Sequence, residues 1–290
     1  MGRTFSPLRY PGGKTSITSM ISDVIERNFT TPCRYIEPYA GGGGLALSLL
    51  FSGKVMEIHL NDLDRSIWAV WHSMLNELDA FIDKINKTEI TINEWHKQRD
   101  IQNNKEQYTD LEVGFSSFFL NRTNRSGIIL KAGVIGGLLQ ENEKYKMDCR
   151  FNKSELIKRI IKINSYKDRI HIYNNDAVAF MTEMEKIYDN VCFFIDPPYY
   201  EKGASLYTNF YSKEDHAKIS DVILKLKNKW ILTYDDADKI RELYSEHPSY
   251  EFYLNYSLAI KRVGTELFFS SKDLEIPEDI INNLLVPITR

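Results

Sequence analysis

The stretch from Arg34 to Leu60 restricts the fold more than any other part of the chain. Arg34-Tyr35-Ile36-Glu37-Pro38 reads as a short strand ended by a proline, and four consecutive glycines, Gly41 to Gly44, follow it. Leu45 to Phe51 then reads as an apolar helix, Val55 to Leu60 as a second strand, and Asp64 to Leu78 as a second helix. Strand, glycine turn, helix and strand in this order form a β-α-β unit, whose strands lie parallel with a right-handed crossover. The same rhythm returns later, with strands at Arg169–Tyr173, Val191–Ile195 and Lys229–Thr233 and helical spacing over 177–187 and 213–227. Two late runs, 251–260 and 265–270, flank Lys261-Arg262-Val263-Gly264 and suggest an antiparallel hairpin at the sheet edge.

Residues 80–168 break this rhythm. They are helical, rich in Asn and Lys, interrupted by Gly127, Gly133, Gly136 and Gly137, and poor in strand signals. The simplest architecture is one α/β domain built from 1–79 and 169–290, split by a helical insertion over 80–168; a chain of 290 residues accommodates it.

Charge is unevenly spread. The net charge is −3, yet residues 121–170 hold twelve Lys/Arg against five Asp/Glu, and residues 1–20 carry Arg3, Arg9 and Lys14 with no acid. A basic segment on an acidic body is what phosphate binding requires, although a solvated helical face gives the same count. Cys33, Cys149 and Cys192 are scattered and odd in number, which points to a reducing compartment without disulfides. The six histidines lack ligand spacing, so no metal is expected. No signal peptide and no apolar run of membrane-spanning length stands out, and a cytoplasmic location is the default.

Gly41-x-Gly43-x-x-Ala46 fits a nucleotide-binding glycine pattern, and Asp62 closes the next strand about twenty residues on. Such glycines let the backbone approach a ligand, and such an acid accepts hydrogen bonds from ribose hydroxyls. NAD, FAD and S-adenosylmethionine all satisfy that arrangement. Tyr10-Pro11-Gly12-Gly13-Lys14-Thr15 does not make a phosphate-binding P-loop, because position 8 holds Leu8 where that loop needs glycine.

Asp196-Pro197-Pro198-Tyr199 closes the apolar strand Val191–Ile195. In a parallel sheet the carboxyl end of a strand is where ligands bind. Two prolines remove two N–H donors, leaving a turn rich in acceptors. That suits an exocyclic amine. If Asp196 accepts one N–H and the Pro197 carbonyl the other, the nitrogen lone pair localises and can attack an electrophilic methyl group. Tyr199 would then stack on the base. A capped turn with a packed tyrosine is the plain alternative. Cys192 lies inside the strand with no preceding proline and reads as core.

The ordered set resembles the Dam-type adenine-N6 DNA methyltransferases. Leu8-Arg9-Tyr10-Pro11-Gly12-Gly13-Lys14 looks like that family's N-terminal motif, Ile36-Glu37-Pro38-Tyr39-Ala40-Gly41-Gly42-Gly43-Gly44 its cofactor loop, Asn61-Asp62 its ribose-side acid, and Asp196–Tyr199 its catalytic motif. The resemblance implies a Rossmann-like S-adenosylmethionine-dependent methyltransferase sheet with a helical target-recognition insertion. It also implies double-stranded DNA as partner and S-adenosylmethionine, with no metal, as cofactor. Tyr10, Lys14, Glu37, Gly41, Gly43, Asp62, Asp176 and Asp196 carry over as cofactor-side positions. Asp176 also reads as a helix N-cap. Phe118-Phe119-Leu120-Asn121-Arg122 with Ser126-Gly127 resembles the target-domain stretch, which makes Arg122, Arg125 and Lys131 candidates for DNA contact. The chain has Arg125-Ser126 where GATC-specific members have an aromatic-Asn pair, and Leu130-Lys131 where they have an arginine, so GATC is not implied. A restriction endonuclease is at most a genetic companion. The rival readings are an N4-cytosine DNA methyltransferase, a catalytically silent DNA-binding module, and a dehydrogenase that leaves Asp196–Tyr199 without a role.

Overall fold

In the computed structural model the strands from both ends of the chain join one sheet. The structure describes residues 4–10, 12–141, 144–201, 211–256 and 262–288, with backbone alone for 254–256 and 262–263. The strands are β1 (Cys33–Glu37), β2 (Val55–Asn61), β3 (Ile170–Tyr173), β4 (Val191–Ile195), β5 (Lys229–Asp235), β6 (Ser249–Tyr256), β7 (Arg262–Ser270) and β8 (Val286–Pro287). Their order is β3-β2-β1-β4-β5-β7-β6-β8. The five from β3 to β5 are parallel, and β7, β6 and β8 complete the sheet antiparallel.

The helices are α1 (Thr18–Asn28), α2 (Gly44–Phe51), α3 (Arg65–Asn76), α4 (Leu78–Lys87), α5 (Ile92–Asn103), α6 (Asp110–Thr123), α7 (Lys153–Asn164), α8 (Ala177–Ile187), α9 (Lys213–Ile223), α10 (Asp238–Leu243) and α11 (Glu278–Asn283). Every residue of β4 is buried, and its side chains alternate between two cores. Cys192 and Phe194 join the core that holds residues of α1, α2, α3 and α6; Phe193 and Ile195 join the one under α8, α9 and α10. Cys192 is therefore core, as its position in the strand requires.

Local chemistry sets the helix ends. Asp64 caps α3 by accepting from the Ser66 N–H at 2.9 Å, and Thr109 with Glu112 forms a capping box on α6. The expected helix over 64–78 is two helices, because Glu77 leaves helical geometry (φ −128°, ψ 37°) and α4 starts at Leu78. The expected turn at 261–264 also differs. Arg262 to Gly264 already pair in β7 opposite β6; residues 257–261 of the predicted hairpin, like Pro11 of the N-terminal motif, lie outside the described residues.

Within 80–168, α6 crosses α3 so closely that a β-carbon on Gly114 would lie 2.4 Å from the Ala69 carbonyl oxygen. Phe118, Phe119 and Phe151 share one core with Trp71 and Met74 of α3. This packing fixes α6 relative to the sheet, and α6 in turn holds the N-terminal segment. Asn121 accepts from the Arg9 N–H at 2.8 Å and donates to the Arg9 and Gly127 carbonyls at 2.7 and 2.8 Å.

Candidate active site

β1 and β4 are neighbours, but α2 after β1 and α9 after β4 pack on opposite faces. Diverging connections open a crevice at the carboxyl ends of the two strands, which is where open α/β sheets bind ligands. A cavity of about 480 Å³ lies there. It is lined by Glu37 from the end of β1, Gly42 to Gly44, Asp62 beyond β2, Asp196 and Pro198 beyond β4, and Tyr10 and Lys14 from the N-terminal segment.

Lys14 joins the two ends of the sequence. Its Nζ donates to both Asp196 oxygens, at 2.8 and 2.7 Å, and to the Gly12 carbonyl at 3.1 Å. It also lies 3.3 Å from Glu266 Oε2. The Lys14 side chain is only 3 % exposed, against 23 % for Asp196, so the carboxylate keeps a face toward the cavity. Burial opposes the Lys14 charge, but the Asp196 and Glu266 carboxylates outweigh it and hold the ammonium above its usual range. Burial, with Glu266 adding to it, raises Asp196; Lys14 and the Thr233 hydroxyl, which donates at 2.7 Å, hold it down in part.

The glycine loop is shaped by what covers it. Gly41 has φ +48°, and a β-carbon there would come within 2.7 Å of the Tyr10 ring. Its carbonyl accepts from Trp71 Nε1 at 3.1 Å, and its N–H donates to Asp62 at 3.0 Å. The other Asp62 oxygen accepts from the Asp64 N–H at 2.9 Å. Burial, reinforced by Asp64, pushes Asp62 up to about 7. Glu37 is pushed up to about 8 by burial, against the hydroxyl of Tyr35 that donates to it at 3.1 Å.

A raised carboxyl pKa has a defined sign. Between about 4.5, where Glu37 ionises in the unfolded chain, and about 8, the contribution of Glu37 to folding stability falls as pH rises. Glu37→Gln keeps the acceptor for Tyr35 and removes that loss. The variant should be more thermostable than wild type at pH 8, with the gap closing toward pH 5; equal slopes of melting temperature against pH would refute the assignment.

Other sequence-derived residues are placed differently. Pro197 and Tyr199 are buried beside the cavity rather than among the residues lining it. The Tyr199 hydroxyl donates to Glu266 at 2.7 Å. Asp176 is exposed and caps α8, accepting from the Val178 and Ala179 N–H groups at 3.0 and 3.1 Å; it is not itself among the residues lining the cavity but acts electrostatically on Tyr211, which is. Arg122 reaches the cavity wall, but its guanidinium donates to the Arg150 carbonyl at 2.7 Å and the Pro7 carbonyl at 3.3 Å. It ties backbone segments together, and burial lowers its pKa to about 9. Arg125 and Lys131 are exposed.

Sequence reasoning missed Thr233, Glu266 and Tyr211. Tyr211 lines the cavity and donates to the Tyr39 hydroxyl at 3.3 Å. None sits in a short motif, and only the strand pairing of β5 with β7 brings Glu266 to Lys14. Among the described residues one set of metal-type donors exists, Glu57, His59 and His171, on the β2–β3 pair. It lies outside the cavity lining, and Arg34 Nε donates to Glu57 at 2.7 Å, so that carboxylate already holds a cation.

This strand order, with acids at the carboxyl ends of β1, β2 and β4 around one cavity, is that of an open α/β sheet with its ligand site in the crevice between β1 and β4. The chain belongs to the D12 class N6 adenine-specific DNA methyltransferases, whose family model matches residues 10–258. It is 27 % identical over 273 residues to the type II methyltransferase M.CviBI of Paramecium bursaria Chlorella virus NC1A, covering 90 % of this chain and 95 % of that one. It is 25 % identical over 133 residues to the type II methyltransferase M.MjaIII of Methanocaldococcus jannaschii, covering 42 % and 46 % of the two chains. An rRNA methyltransferase structure from Streptomyces viridochromogenes aligns over 93 % of this chain and 89 % of its own, with 11 % identity and a TM-score of 0.37.

Proposed function

We propose that this DNA adenine-N6 methyltransferase acts on duplex DNA, extrudes one adenine into the cavity and there receives its 6-amino group on Asp196. The observation that carries this reading is the partly exposed Asp196 carboxylate, fixed by Lys14 and Thr233 at a cavity of about 480 Å³. A cavity of that size is in the range that holds a nucleoside-sized ligand.

The residues fit the methyl donor. Asp62 is oriented by two backbone N–H groups and keeps lone pairs for ribose hydroxyls. The Asp62, Glu37 and Asp196 carboxyl groups line the cavity with hydrogen-bonding oxygens, and the glycine loop lets backbone approach a ligand. Tyr10, Lys14, Glu37, Gly41, Gly43, Asp62 and Asp196 are the positions we assign to holding it. S-adenosylmethionine supplies an electrophilic methyl on sulfur when bound. The protein's own part is to bind and orient the two partners, with Asp196 as the acceptor of the proton that the amine releases when its N–C bond forms and the donor's S–C bond breaks. Asp196 accepts one amine N–H and the Pro197 carbonyl the other, which localises the nitrogen lone pair. Holding the reactants in attack geometry then provides much of the rate. Tyr199, buried beside the cavity with its hydroxyl anchored on Glu266, is assigned to supporting the turn that receives the base. No step in this scheme uses a metal.

The segment 80–168 is assigned to target recognition. Arg125 and Lys131 are its exposed cations of choice for phosphate contact, whereas Arg122 serves the frame. The test compares duplex with heat-denatured bacterial DNA as methyl acceptor, using labelled S-adenosylmethionine over a range of salt. Duplex should be methylated at least about ten-fold faster, yielding N6-methyladenine. Arg125→Gln with Lys131→Gln should reduce the slope of log affinity against log salt by about 2. Equal use of single strands would remove extrusion from a duplex, and an unchanged slope would place the DNA elsewhere.

A further inference from the structure

Asp235 on β5 and Glu266 on β7 are opposite one another in the antiparallel register. Both hold the loop that follows β4. Asp235 accepts from the Tyr200 and Glu201 N–H groups at 2.7 and 3.1 Å, and Glu266 accepts from the Tyr199 hydroxyl at 2.7 Å. Glu266 is 1 % exposed, and its second oxygen lies 3.3 Å from Lys14 Nζ, the ammonium that also holds Asp196.

A buried carboxylate is costly unless it is paired, and one lysine shared by two carboxylates neutralises neither fully. Sharing has a chemical consequence. An aspartate in undivided contact with an ammonium is a weak acceptor, and drawing part of that ammonium away restores its basicity. We propose that Glu266 is a positioning residue for methyl transfer: by dividing Lys14 with Asp196 and anchoring Tyr199, it keeps Asp196 a strong acceptor for the target amine. This rests on the role of Asp196 given above.

The ionisable groups around Asp196 are Lys14 ahead of α1, Tyr35 and Glu37 on β1, Tyr234 on β5 and Glu266 on β7. Two near-isosteric variants act on Asp196 with opposite sign. Glu266→Gln removes a neighbouring negative charge, so the acid limb of the kcat profile should move down by about one pH unit. Its plateau should fall about ten-fold with KM for DNA little changed, because the weaker acceptor acts in the chemical step. Thr233→Val removes a donor to ionised Asp196, and the same limb should move up.

A purely structural Glu266 would lower melting temperature and active fraction without moving the limb. Unmoved limbs, or two shifts of the same sign, overturn the proposal. If Glu266→Gln does not fold, Glu266→Asp draws the carboxylate back from Lys14 and should move the limb down in the same direction, and an unmoved limb there overturns the proposal. Asp196→Ala separates the two levels: retained turnover refutes the role of Asp196, whereas lost turnover with static limbs refutes that of Glu266.

Discussion

Asp196→Ala should reduce methyl transfer about a thousand-fold or more while the protein stays folded. The size of the effect follows from how many roles meet on this carboxylate. It is the partly exposed acceptor just beyond β4, and its oxygens take both the Lys14 ammonium and the Thr233 hydroxyl. Without it the amine loses the acceptor that localises its lone pair, and the cavity keeps a cation where an anion stood. The fold survives because Lys14 retains Glu266 at 3.3 Å and the Gly12 carbonyl at 3.1 Å. Single-turnover transfer from labelled S-adenosylmethionine, with circular dichroism as the control for folding, measures this. The loss belongs in kcat, with DNA affinity nearly unchanged. A folded variant retaining a tenth of the wild-type rate would refute the mechanism.

Gly114→Val should be the most destabilising single change in the segment 80–168. A β-carbon at this position would lie 2.4 Å from the Ala69 carbonyl oxygen and 2.5 Å from Ser73 Oγ, and valine adds two further methyl groups. The obstacle is the backbone of α3, which cannot swing aside as a side chain can. Relief requires α6 to move off α3, exposing Phe115, Phe118 and Phe119. A cost of about 3 kcal/mol or more is expected, near the upper end for overpacked cores. In a domain of this size that lowers the melting temperature by about 6–12 °C. The displacement would also reach the site, because Asn121 at the far end of α6 grips Arg9, five residues before Lys14. Cofactor affinity should therefore weaken in the residual folded protein. Gly114→Ala should show a smaller loss of the same kind, and an unchanged melting temperature for Gly114→Val would show that the helices separate at little cost.

Much of the candidate site is legible in the sequence. Asp62, Asp196 and the glycine loop follow strands whose hydrophobic runs announce them, and parallel strands place their carboxyl ends together. Lys14 entered through a resemblance rather than through physics, and the structure supplies the reason for it in the bond to Asp196. Asp176 was read both as a cofactor-side position and as a helix cap, and the structure shows the cap. Its side chain is used by the first turn of α8, a purely local arrangement. Arg122 shows a limit. Charge counts cannot tell an outward cation from one spent on backbone carbonyls.

The sequence by itself determined the β-α-β unit, the parallel sheet and the acceptor-rich turn at Asp196. These depend on neighbours within a few residues: hydrophobic periodicity, glycine, and proline without an N–H. Only the tertiary structure decided that Lys14 would be shared between Asp196 and Glu266, and that Asp235 and Glu266 would grip one loop. Those contacts span 182 residues in the case of Lys14 and Asp196. They arise from the registers of β4 with β5 and of β5 with β7, and from the packing of α6 on α3. Register and helix crossing are set by whole faces fitting together, a property that no short stretch of residues carries.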